Sequence, residues 1–334
     1  MSLVSLTKDI APGDRPTVGL FDSGIGGFGT LRAMLRVRTP PWGRILYLAD
    51  LRNFPYGPRP ADEVRRLALA GVELLAELGA DLVAVACNTA SASGVRAGQV
   101  EAPVPIHDII RPGARHAAYV ARSTGATRVL VLGTEGTVRS GAWEDALREA
   151  GYGHEVAGWA CPFLANMIEQ GRNGPVTRRA VLEATRGLAA VGGGPAVGRV
   201  SGAGSAPGAG AAAGSERPPD VVILGCTHYS LIAPVVEEVL ATTVLGRPVR
   251  LVDPSEALAR DLEAGLGRTR AGGEGAGGLT GEQAVEVVFL TTGRKEHLEG
   301  RARALLPGAA GGAAHRLVLD RVLEVTLPKG PSGP

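Results

Sequence analysis

Short apolar runs alternate with longer amphipathic stretches along most of the 334-residue chain, and this alternation restricts the fold more than any other feature. It is typical of strand–helix repeats, because neighbouring parallel strands need a crossover that is usually helical. The predicted strands are residues 18–21, 45–48, 82–86, 128–132, 221–224, 249–252 and 285–290. The predicted helices are residues 30–37, 61–78, 113–122, 138–150, 176–190, 231–240 and 255–264. The sequence therefore predicts an α/β fold with mainly parallel sheets flanked by helices.

Two of the predicted strands end in the same way, with a cysteine followed by hydrogen-bonding residues. The segments are DLVAVACNT (81–89) and DVVILGCTH (220–228), which place Cys87 and Cys226 at corresponding positions. A weaker echo pairs residues 18–24 with residues 129–137, because both segments end an apolar strand in a small polar turn. The chain therefore reads as two similar halves, each with a cysteine where open α/β sheets bind ligands.

The surroundings of these two cysteines favour proton-transfer chemistry. The polar residues that follow them are Asn88 and Thr89 in the first half and Thr227 and His228 in the second. A thiolate can abstract a proton from carbon, a thiol can return one, and a nearby positive charge favours the thiolate. Two equivalent cysteines from two halves meet the geometry that a two-base racemase requires.

A glycine-rich segment after the first strand supports two interpretations. GIGGFG (24–29) fits the dinucleotide fingerprint, and Asp50 follows the next strand as that fingerprint requires. Against this, Asp22 would place a carboxylate close to a pyrophosphate. The alternative is that the glycines let backbone amides approach an anionic substrate, while Asp22 and Ser23 contact its polar groups.

Three other local features carry weaker signals. The turn FPYGPR (54–59) separates a strand from a helix, and its Tyr56 and Gly57 either serve only the turn or bind a carboxylate. Cys161 precedes a proline and shares no layout with the other cysteines, so it is predicted to be structural. Glu169 is predicted to lie on the helix that follows, where a solvated face is favoured over a role as a base; the alternative is that it reaches the site.

Composition weighs against several classes of protein. The lysines are Lys8, Lys295 and Lys329, all toward the chain ends, which argues against an internal lysine that holds pyridoxal phosphate. Three widely spaced cysteines suit neither a disulfide framework nor a zinc site. A net charge of +2 indicates no nucleic-acid surface. With no apolar run that could span a membrane and no signal-peptide pattern, a cytoplasmic location is expected.

Two segments differ in composition from the rest. Residues 192–219 are rich in Gly, Ala and Ser and nearly free of large apolar side chains, so they are predicted to form a flexible surface insertion. Residues 265–281 look like a shorter segment of the same kind.

Several motifs together resemble those of the glutamate racemases, within the aspartate/glutamate racemase superfamily. The matching segments are LFDSGIGG (20–27), PYGPR (55–59), VACNTASA (85–92), PGA (112–114), GTEGTVRSGAW (133–143), CPF (161–163), LGCTHYSL (224–231) and VDPSEA (252–257). They occur in the family's order and cover most of the chain outside the two Gly-rich segments. CNTAS together with GCTHY is the most specific part of the resemblance.

The resemblance implies two pseudo-symmetric domains with the active site in the cleft between them. The first domain would comprise residues 15–111 and 249–328, and the second residues 112–248, which contain the insertion 192–219. It also implies an enzyme that needs no cofactor and interconverts L- and D-glutamate. Such an enzyme would supply D-glutamate for peptidoglycan synthesis, and hence cell-wall biogenesis and cell shape, and would form a homodimer.

The resemblance also assigns roles to individual residues. Cys87 would abstract the α-proton of D-glutamate and Cys226 that of L-glutamate, assisted by Asp22 and His228. The residues that would bind substrate are Asp22, Ser23, Tyr56, Gly57, Asn88, Thr89, Thr134, Thr137, Thr227 and His228.

A few positions depart from the family pattern and bear on efficiency and substrate fit. Gly29 and Thr30 stand where the family usually has threonine and a branched residue, Arg111 replaces a glutamate, and Ser230 replaces a proline. Three alternatives stay open. They are an aspartate racemase or a decarboxylase that needs one cysteine, a dinucleotide-dependent enzyme, and a protein that acts mainly by binding another protein.

Overall fold

The computed structural model describes residues 15–96, 99–172, 175–188, 218–271, 284–306 and 315–328. The strands are β1 (Thr17–Asp22), β2 (Arg44–Ala49), β3 (Leu82–Val85), β4 (Ile106–Asp108), β5 (Arg128–Gly133), β6 (Glu155–Ala160), β7 (Val221–Gly225), β8 (Arg250–Val252), β9 (Val285–Thr291) and β10 (His315–Glu324). The helices are α1 (Phe28–Leu35), α2 (Ala61–Glu77), α3 (Asn88–Ala92), α4 (Ile110–Thr124), α5 (Glu135–Arg139), α6 (Ala142–Glu149), α7 (Leu164–Glu169), α8 (Pro175–Thr185), α9 (Thr227–Ser230), α10 (Ala233–Val239), α11 (Pro254–Ala271) and α12 (Lys295–Leu305). A π-helical turn, Leu240–Val244, extends α10.

The strands form two sheets in which neighbouring strands run parallel. The first sheet has the order β10-β9-β2-β1-β3-β4, and the second has the order β6-β5-β7-β8. The predicted α/β class with parallel sheets is therefore confirmed. Strands β9 and β10 return to the first sheet, where β9 pairs with β2. Strand β8 pairs with β7, so the chain leaves the second sheet after Val252 rather than before residue 249.

The local predictions differ from the structure at a few points. Strands β4, β6 and β10 have no counterpart among the predicted strands. The predicted helix 138–150 is divided into α5 and α6, because Gly141 takes the left-handed conformation with φ of 67°. The prediction that residues 265–281 form a flexible segment is wrong over its first part, since α11 continues to Ala271 and packs on α1 and α4. Residues 272–281 lie outside the described residues, as do residues 192–217 of the predicted insertion.

The largest core cluster joins the two sheets. Val18 of β1, Val129 of β5 and Val221 of β7 belong to it, together with Ala117 of α4 and Leu258 of α11, and all five are fully buried. Strands β1, β5 and β7 are buried along their whole length, which accounts for their continuous apolar sequences. None of the helices in the described ranges is long and apolar enough to cross a membrane.

Candidate active site

Cys87 and Cys226, the two cysteines that share a sequence layout, each lie at the junction between a strand and a short helix. Cys87 follows β3 and precedes α3, and Cys226 follows β7 and precedes α9. The two residues are only 3% and 4% exposed, and both line one small cavity between the two halves of the molecule. The other residues that line it are Ser23, Phe54, Pro55, Tyr56, Gly57, Asn88, Thr89, Thr134, Ala165, Thr227 and His228.

This cavity brings together most of the residues predicted to bind substrate. Asp22 and Thr137 do not line it, but each contacts a residue that does. Asp22 Oδ2 accepts a hydrogen bond from Thr227 Oγ1 at 3.0 Å, and the hydroxyl oxygens of Thr137 and Thr89 lie 3.3 Å apart. The cavity volume is about 20 Å³, which is room for about one water molecule. The cavity must therefore widen before a larger ligand can enter.

The surroundings of Cys87 favour the protonated thiol. Burial raises the pKa of Cys87 to about 12, and the negative charge of Asp22 contributes in the same direction. The thiol donates a weak hydrogen bond to Ser23 Oγ at 3.7 Å. A hydroxyl can accept from a thiol or donate to a thiolate, so Ser23 suits both protonation states.

The surroundings of Cys226 are different, because a buried imidazole faces its sulfur. His228 Nδ1 lies 4.0 Å from Cys226 Sγ, and the histidine is 2% exposed. Burial by itself lowers the pKa of His228, but the hydrogen bonds and negative charges of Cys226 and Glu169 outweigh it and raise the pKa to about 10. A protonated His228 beside this sulfur would form an ion pair with a thiolate.

Glu169 completes this arrangement, and the prediction that it lies on a solvated helix face is wrong. It is 5% exposed, and its Oε2 accepts hydrogen bonds from His228 Nε2 at 2.8 Å and from the Ile25 backbone N–H at 3.0 Å. Its Oε1 accepts from His297 Nε2 at 2.8 Å. Burial raises the pKa of Glu169, but these donors outweigh it and lower the pKa to about 2. The carboxylate is therefore ionised, and both histidines donate to it.

Sequence reasoning missed His297 and Phe54 as members of the site, and for Glu169 it favoured a solvated face over a place in the site. The Phe54 ring packs against the His228 ring with centroids 5.2 Å apart. Glu169 lies 59 residues from His228 in the chain, and His297 lies 128 residues from Glu169. Phe54 belongs to a turn that also had a purely structural interpretation. No local sequence pattern identifies these residues as members of the site, because their contacts with it depend on the tertiary structure.

The glycine-rich segment packs against the turn that carries Cys226. A Cβ on Gly26 would lie 2.3 Å from Thr227 Oγ1 and 2.9 Å from the backbone nitrogen of His228. Protein atoms therefore fill the face that a pyrophosphate would need, and the dinucleotide interpretation of this loop fails on packing grounds. Asp22 Oδ1 accepts a hydrogen bond from the Gly24 N–H at 3.0 Å. Burial raises the pKa of Asp22 to about 6, although the charge of His228 and hydrogen bonds lower it in part.

Tyr56 is held at the cavity by a buried carboxylate. Its hydroxyl donates to Asp50 Oδ2 at 2.6 Å, and Thr292 Oγ1 donates to Asp50 Oδ1 at 2.5 Å. Asn53 Nδ2 donates to both carboxylate oxygens at 3.0 Å. Asp50 is fully buried, so this set of donors compensates for its desolvation. It fixes the turn that places Tyr56 and Gly57 along the cavity.

Asn88 presents an unsatisfied donor at the cavity. Its Oδ1 accepts a hydrogen bond from Trp143 Nε1 at 3.2 Å, which orients the amide. Its Nδ2 is buried and has no hydrogen-bond partner among the described residues. A buried amide without a partner is costly, and such a group in a polar cavity is suited to bind a ligand oxygen.

Two of the departures from the family pattern contact each other. A Cβ on Gly29 would lie 3.1 Å from Ser230 Cβ, so the small residue fits the space beside Ser230. Ser230 Oγ donates to Asp253 Oδ1 at 2.8 Å. Arg111 lies at the start of α4, where its backbone N–H donates to Asp108 Oδ1 at 3.1 Å. None of these three positions lines the cavity that holds the two cysteines.

Cys161 lies in the core of the second half, as its structural interpretation expects. It is 2% exposed, and its Sγ is 3.9 Å from the Ala184 carbonyl oxygen. It does not line the cavity that contains Cys87 and Cys226. Across the described ranges, no group of three or more His, Cys, Asp or Glu side chains is placed to hold a metal ion.

Known proteins resemble this chain over most of its length. The sequence model of the family described as Asp/Glu/Hydantoin racemase matches residues 30–197. The glutamate racemase of Symbiobacterium thermophilum is 34% identical over 93% of this chain and 97% of its own length. The glutamate racemase of Parafrankia sp. is 37% identical over 75% of this chain and 78% of its own length.

A solved structure shows the same architecture. The crystal structure of glutamate racemase isoform RacE1 from Bacillus anthracis superposes with a TM-score of 0.71 at 27% sequence identity. The superposition covers 95% of this chain and 99% of that one, so it includes both sheets and the cavity between them.

Proposed function

Because this chain belongs to the Asp/Glu/hydantoin racemase family, we propose that it interconverts L- and D-glutamate by proton transfer between Cα and two cysteines. The observation that carries the proposal is that Cys87 and Cys226, one from each half, line the same buried cavity. Two-base racemisation needs an acid and a base on opposite faces of one carbon, and cysteines from two facing halves can meet that need. The relatives that match most of the chain are named glutamate racemases.

The charges around the two thiols favour one starting arrangement. Cys87 is a protonated thiol, because burial and Asp22 raise its pKa, whereas Cys226 faces a protonated His228. With L-glutamate bound, a Cys226 thiolate takes the α-proton and the Cys87 thiol gives its own proton to the opposite face of Cα. The product is D-glutamate, and the base is now a thiolate at Cys87. The reverse reaction starts from that state, so Cys87 takes the proton of D-glutamate.

The lining of the cavity supports an amino-acid dicarboxylate as the ligand. It offers neutral hydrogen-bond donors, including the hydroxyls of Ser23 and Thr134 and the unpaired Nδ2 of Asn88. The hydroxyls of Thr89, Thr134 and Thr137 lie within 3.0 to 3.3 Å of one another and can turn toward a carboxylate. Neutral donors bind a carboxylate without adding a charge that would compete with His228 for the thiolate.

Three wider aspects are proposed with this activity. The product would supply peptidoglycan synthesis in the cytoplasm, and the active form would be a homodimer. The first domain would take in the end of the chain, which is supported by the pairing of β9 with β2. Analytical ultracentrifugation of the purified protein tests the dimer, and limited proteolysis tests the domain division.

The decisive experiment follows the optical rotation of D-glutamate with the parent protein and with Cys87→Ala and Cys226→Ala. Both variants are expected to lose racemisation, because each lacks one of the two proton carriers. Cys161→Ala is the matched control, since it removes a buried cysteine outside the cavity and should retain activity. Racemisation by either active-site variant at the parental rate would overturn the two-cysteine scheme.

The substrate is tested by comparing kcat/KM for D-glutamate and D-aspartate. The proposal expects a clear preference for glutamate. A preference for aspartate would transfer the same chemistry to an aspartate racemase. Incorporation of deuterium at Cα from deuterated water, without any added cofactor, would support proton transfer for whichever substrate is used.

A further inference from the structure

We propose that His297 is a positioning residue for the half of the reaction that uses Cys226, acting through Glu169 and His228. This inference rests on the proposed function, because it assigns a separate task to each cysteine. It concerns a residue at the end of a chain of hydrogen bonds that starts at the reacting sulfur and leaves the cavity.

The chain of contacts runs through three side chains. Cys226 Sγ is 4.0 Å from His228 Nδ1, and His228 Nε2 is 2.8 Å from Glu169 Oε2. The other oxygen of that carboxylate, Oε1, is 2.8 Å from His297 Nε2. Glu169 is thus fixed from both sides, which a single histidine could not achieve because a carboxylate can rotate about its last bond.

His297 belongs to a different part of the fold from the residues that it holds. It lies on α12, which follows β9 of the first sheet, whereas Glu169 on α7 and His228 on α9 belong to the half built around the second sheet. The Ile25 N–H, which also comes from the first half, donates to the same carboxylate at 3.0 Å. The two donors from the first half therefore reach Glu169 only when the two halves are together.

The far side of His297 faces solvent. Its side chain is 35% exposed, while that of Glu169 is 7% exposed. It lines an open groove of about 710 Å³ with Arg52, Arg294 and Glu324. His297 Nε2 donates to Glu169, and the remainder of the ring borders this groove. His297 is therefore not simply part of the packed core.

The opposite cysteine has no matching arrangement. Cys87 contacts the hydroxyl of Ser23, and burial with the charge of Asp22 accounts for its environment. Loss of the His297 hydrogen bond should therefore disturb the Cys226 step and leave the Cys87 step intact. A residue with a purely structural role would disturb both steps or neither.

The test uses His297→Ala, His297→Gln and, as matched control, the exposed Glu296→Ala on the same helix. Glutamine keeps an N–H donor near the position of Nε2, so it should rescue function in part. His297→Ala should lower kcat/KM by about tenfold. The fall is the same from either enantiomer, because L- and D-glutamate have equal free energies.

The specific measurement is the primary isotope effect on kcat/KM with each enantiomer deuterated at Cα. In His297→Ala it should rise with L-glutamate, because removal of its α-proton by Cys226 becomes more rate-limiting. The isotope effect should fall with D-glutamate. In that direction Cys87 removes the α-proton, and this removal becomes less rate-limiting because the later step at Cys226 is slowed. Isotope effects that stay unchanged, or that move equally in both directions, would overturn the inference.

Two further outcomes distinguish failure of the His297 inference from failure of the proposed function. Glutamine at position 297 that is as impaired as alanine would also overturn the inference, because the donated hydrogen bond would then be irrelevant. If His297→Ala does not fold, the glutamine variant still gives the isotope effects. If the parent protein does not racemise glutamate, the proposed function fails first, and the two failures remain distinguishable.

Discussion

The two cysteine turns share a backbone plan and differ in the side chains that face the sulfur. Each cysteine has extended backbone angles, with φ and ψ of −63° and 114° at Cys87 and −145° and 128° at Cys226. Each begins a short helix after a buried strand. Two residues further on, the first turn has Thr89 and the second has His228. The difference is therefore chemical rather than architectural.

This difference matters because a two-base enzyme must begin with unlike partners. If both thiols were protonated there would be no base, and if both were thiolates there would be no acid. Burial and Asp22 keep the proton on Cys87, while the raised pKa of His228 places a positive charge beside Cys226. Under the proposed mechanism, the two similar turns take opposite roles because of their neighbours, which is the usual way that environments separate acid from base.

The largest expected effect comes from removing the chemical difference. His228→Thr makes the second turn resemble the first and leaves the Cys226 sulfur without its cation. We expect kcat for glutamate racemisation to fall by about 10²- to 10³-fold, within the range for lost general acid–base assistance. The exposed His154→Thr serves as control. Parental activity in His228→Thr would mean that the asymmetry has no role in catalysis.

Asp22→Asn tests the buried charge that lies near Cys87. The folded-state pKa of Asp22 is raised from 3.8 to about 6, so the folded protein binds this proton more tightly than the unfolded chain. Stability therefore falls as pH rises from about 4 to about 6, and above that the charged form costs about 3 kcal/mol. Asparagine carries no such cost.

Urea unfolding should accordingly show Asp22→Asn as the more stable protein at pH 8, with the advantage gone near pH 4. Racemisation should nevertheless decrease, because Asp22 holds Thr227 and contributes to the raised pKa of Cys87. The exposed Asp62→Asn should change neither property. A loss of stability for Asp22→Asn at pH 8 would contradict the assignment of a buried, costly charge.

Two glycines test how closely each half presses on the cysteine turn of the other. A Cβ on Gly26 would meet Thr227 Oγ1 at 2.3 Å. One on Gly136 would lie 3.2 Å from Thr89 Cγ2 and 2.9 Å from the Gly57 carbonyl oxygen. Gly26→Ala should lower the free energy of unfolding by about 1–3 kcal/mol through overpacking. Gly136→Ala should cost less, because its clash is milder and alanine favours a helix.

Thermal unfolding and an assay of glutamate racemisation measure the effects of Gly26→Ala and Gly136→Ala. Gly153→Ala is the control, since a Cβ there would meet nothing within 4 Å. Gly26→Ala should disturb the turn that carries Cys226, so this variant should lose racemase activity as well as stability. An equal effect of the two substitutions would show that the halves press on each other symmetrically.

The smallest effects are expected from two buried tyrosines. Tyr56→Phe removes a hydrogen bond to the charged Asp50, and we expect a loss of about 2 kcal/mol in unfolding free energy. Tyr229→Phe removes a bond to the Cys161 carbonyl oxygen at 3.1 Å, and we expect about 1 kcal/mol. Denaturant titration distinguishes these values. Tyr56 lines the cavity, so its substitution should also raise KM for glutamate.

Local sequence patterns correctly predicted the elements whose structure is set by nearby residues. The apolar runs at β1, β5 and β7 predict buried parallel strands because both faces of such strands are covered. Strands β4 and β10 were missed, because a three-residue strand and a strand after a Gly-rich stretch leave no clear periodic signal. The break at Gly141 depends on a positive φ, which the sequence permits without requiring it.

The sequence by itself determined that two cysteines stand at the ends of matching strands, each followed by hydrogen-bonding residues. It also placed Asn88, Thr89, Thr227 and His228 beside them, because neighbours in a turn are neighbours in space. Only the tertiary structure decided that this histidine is held as a cation, through its contact with Glu169. Glu169 and His297 come from distant helices, and burial in the assembled fold raises the pKa of Cys87 and Asp22. Proton affinity depends on every charge and solvent boundary nearby, and these are set by long-range packing.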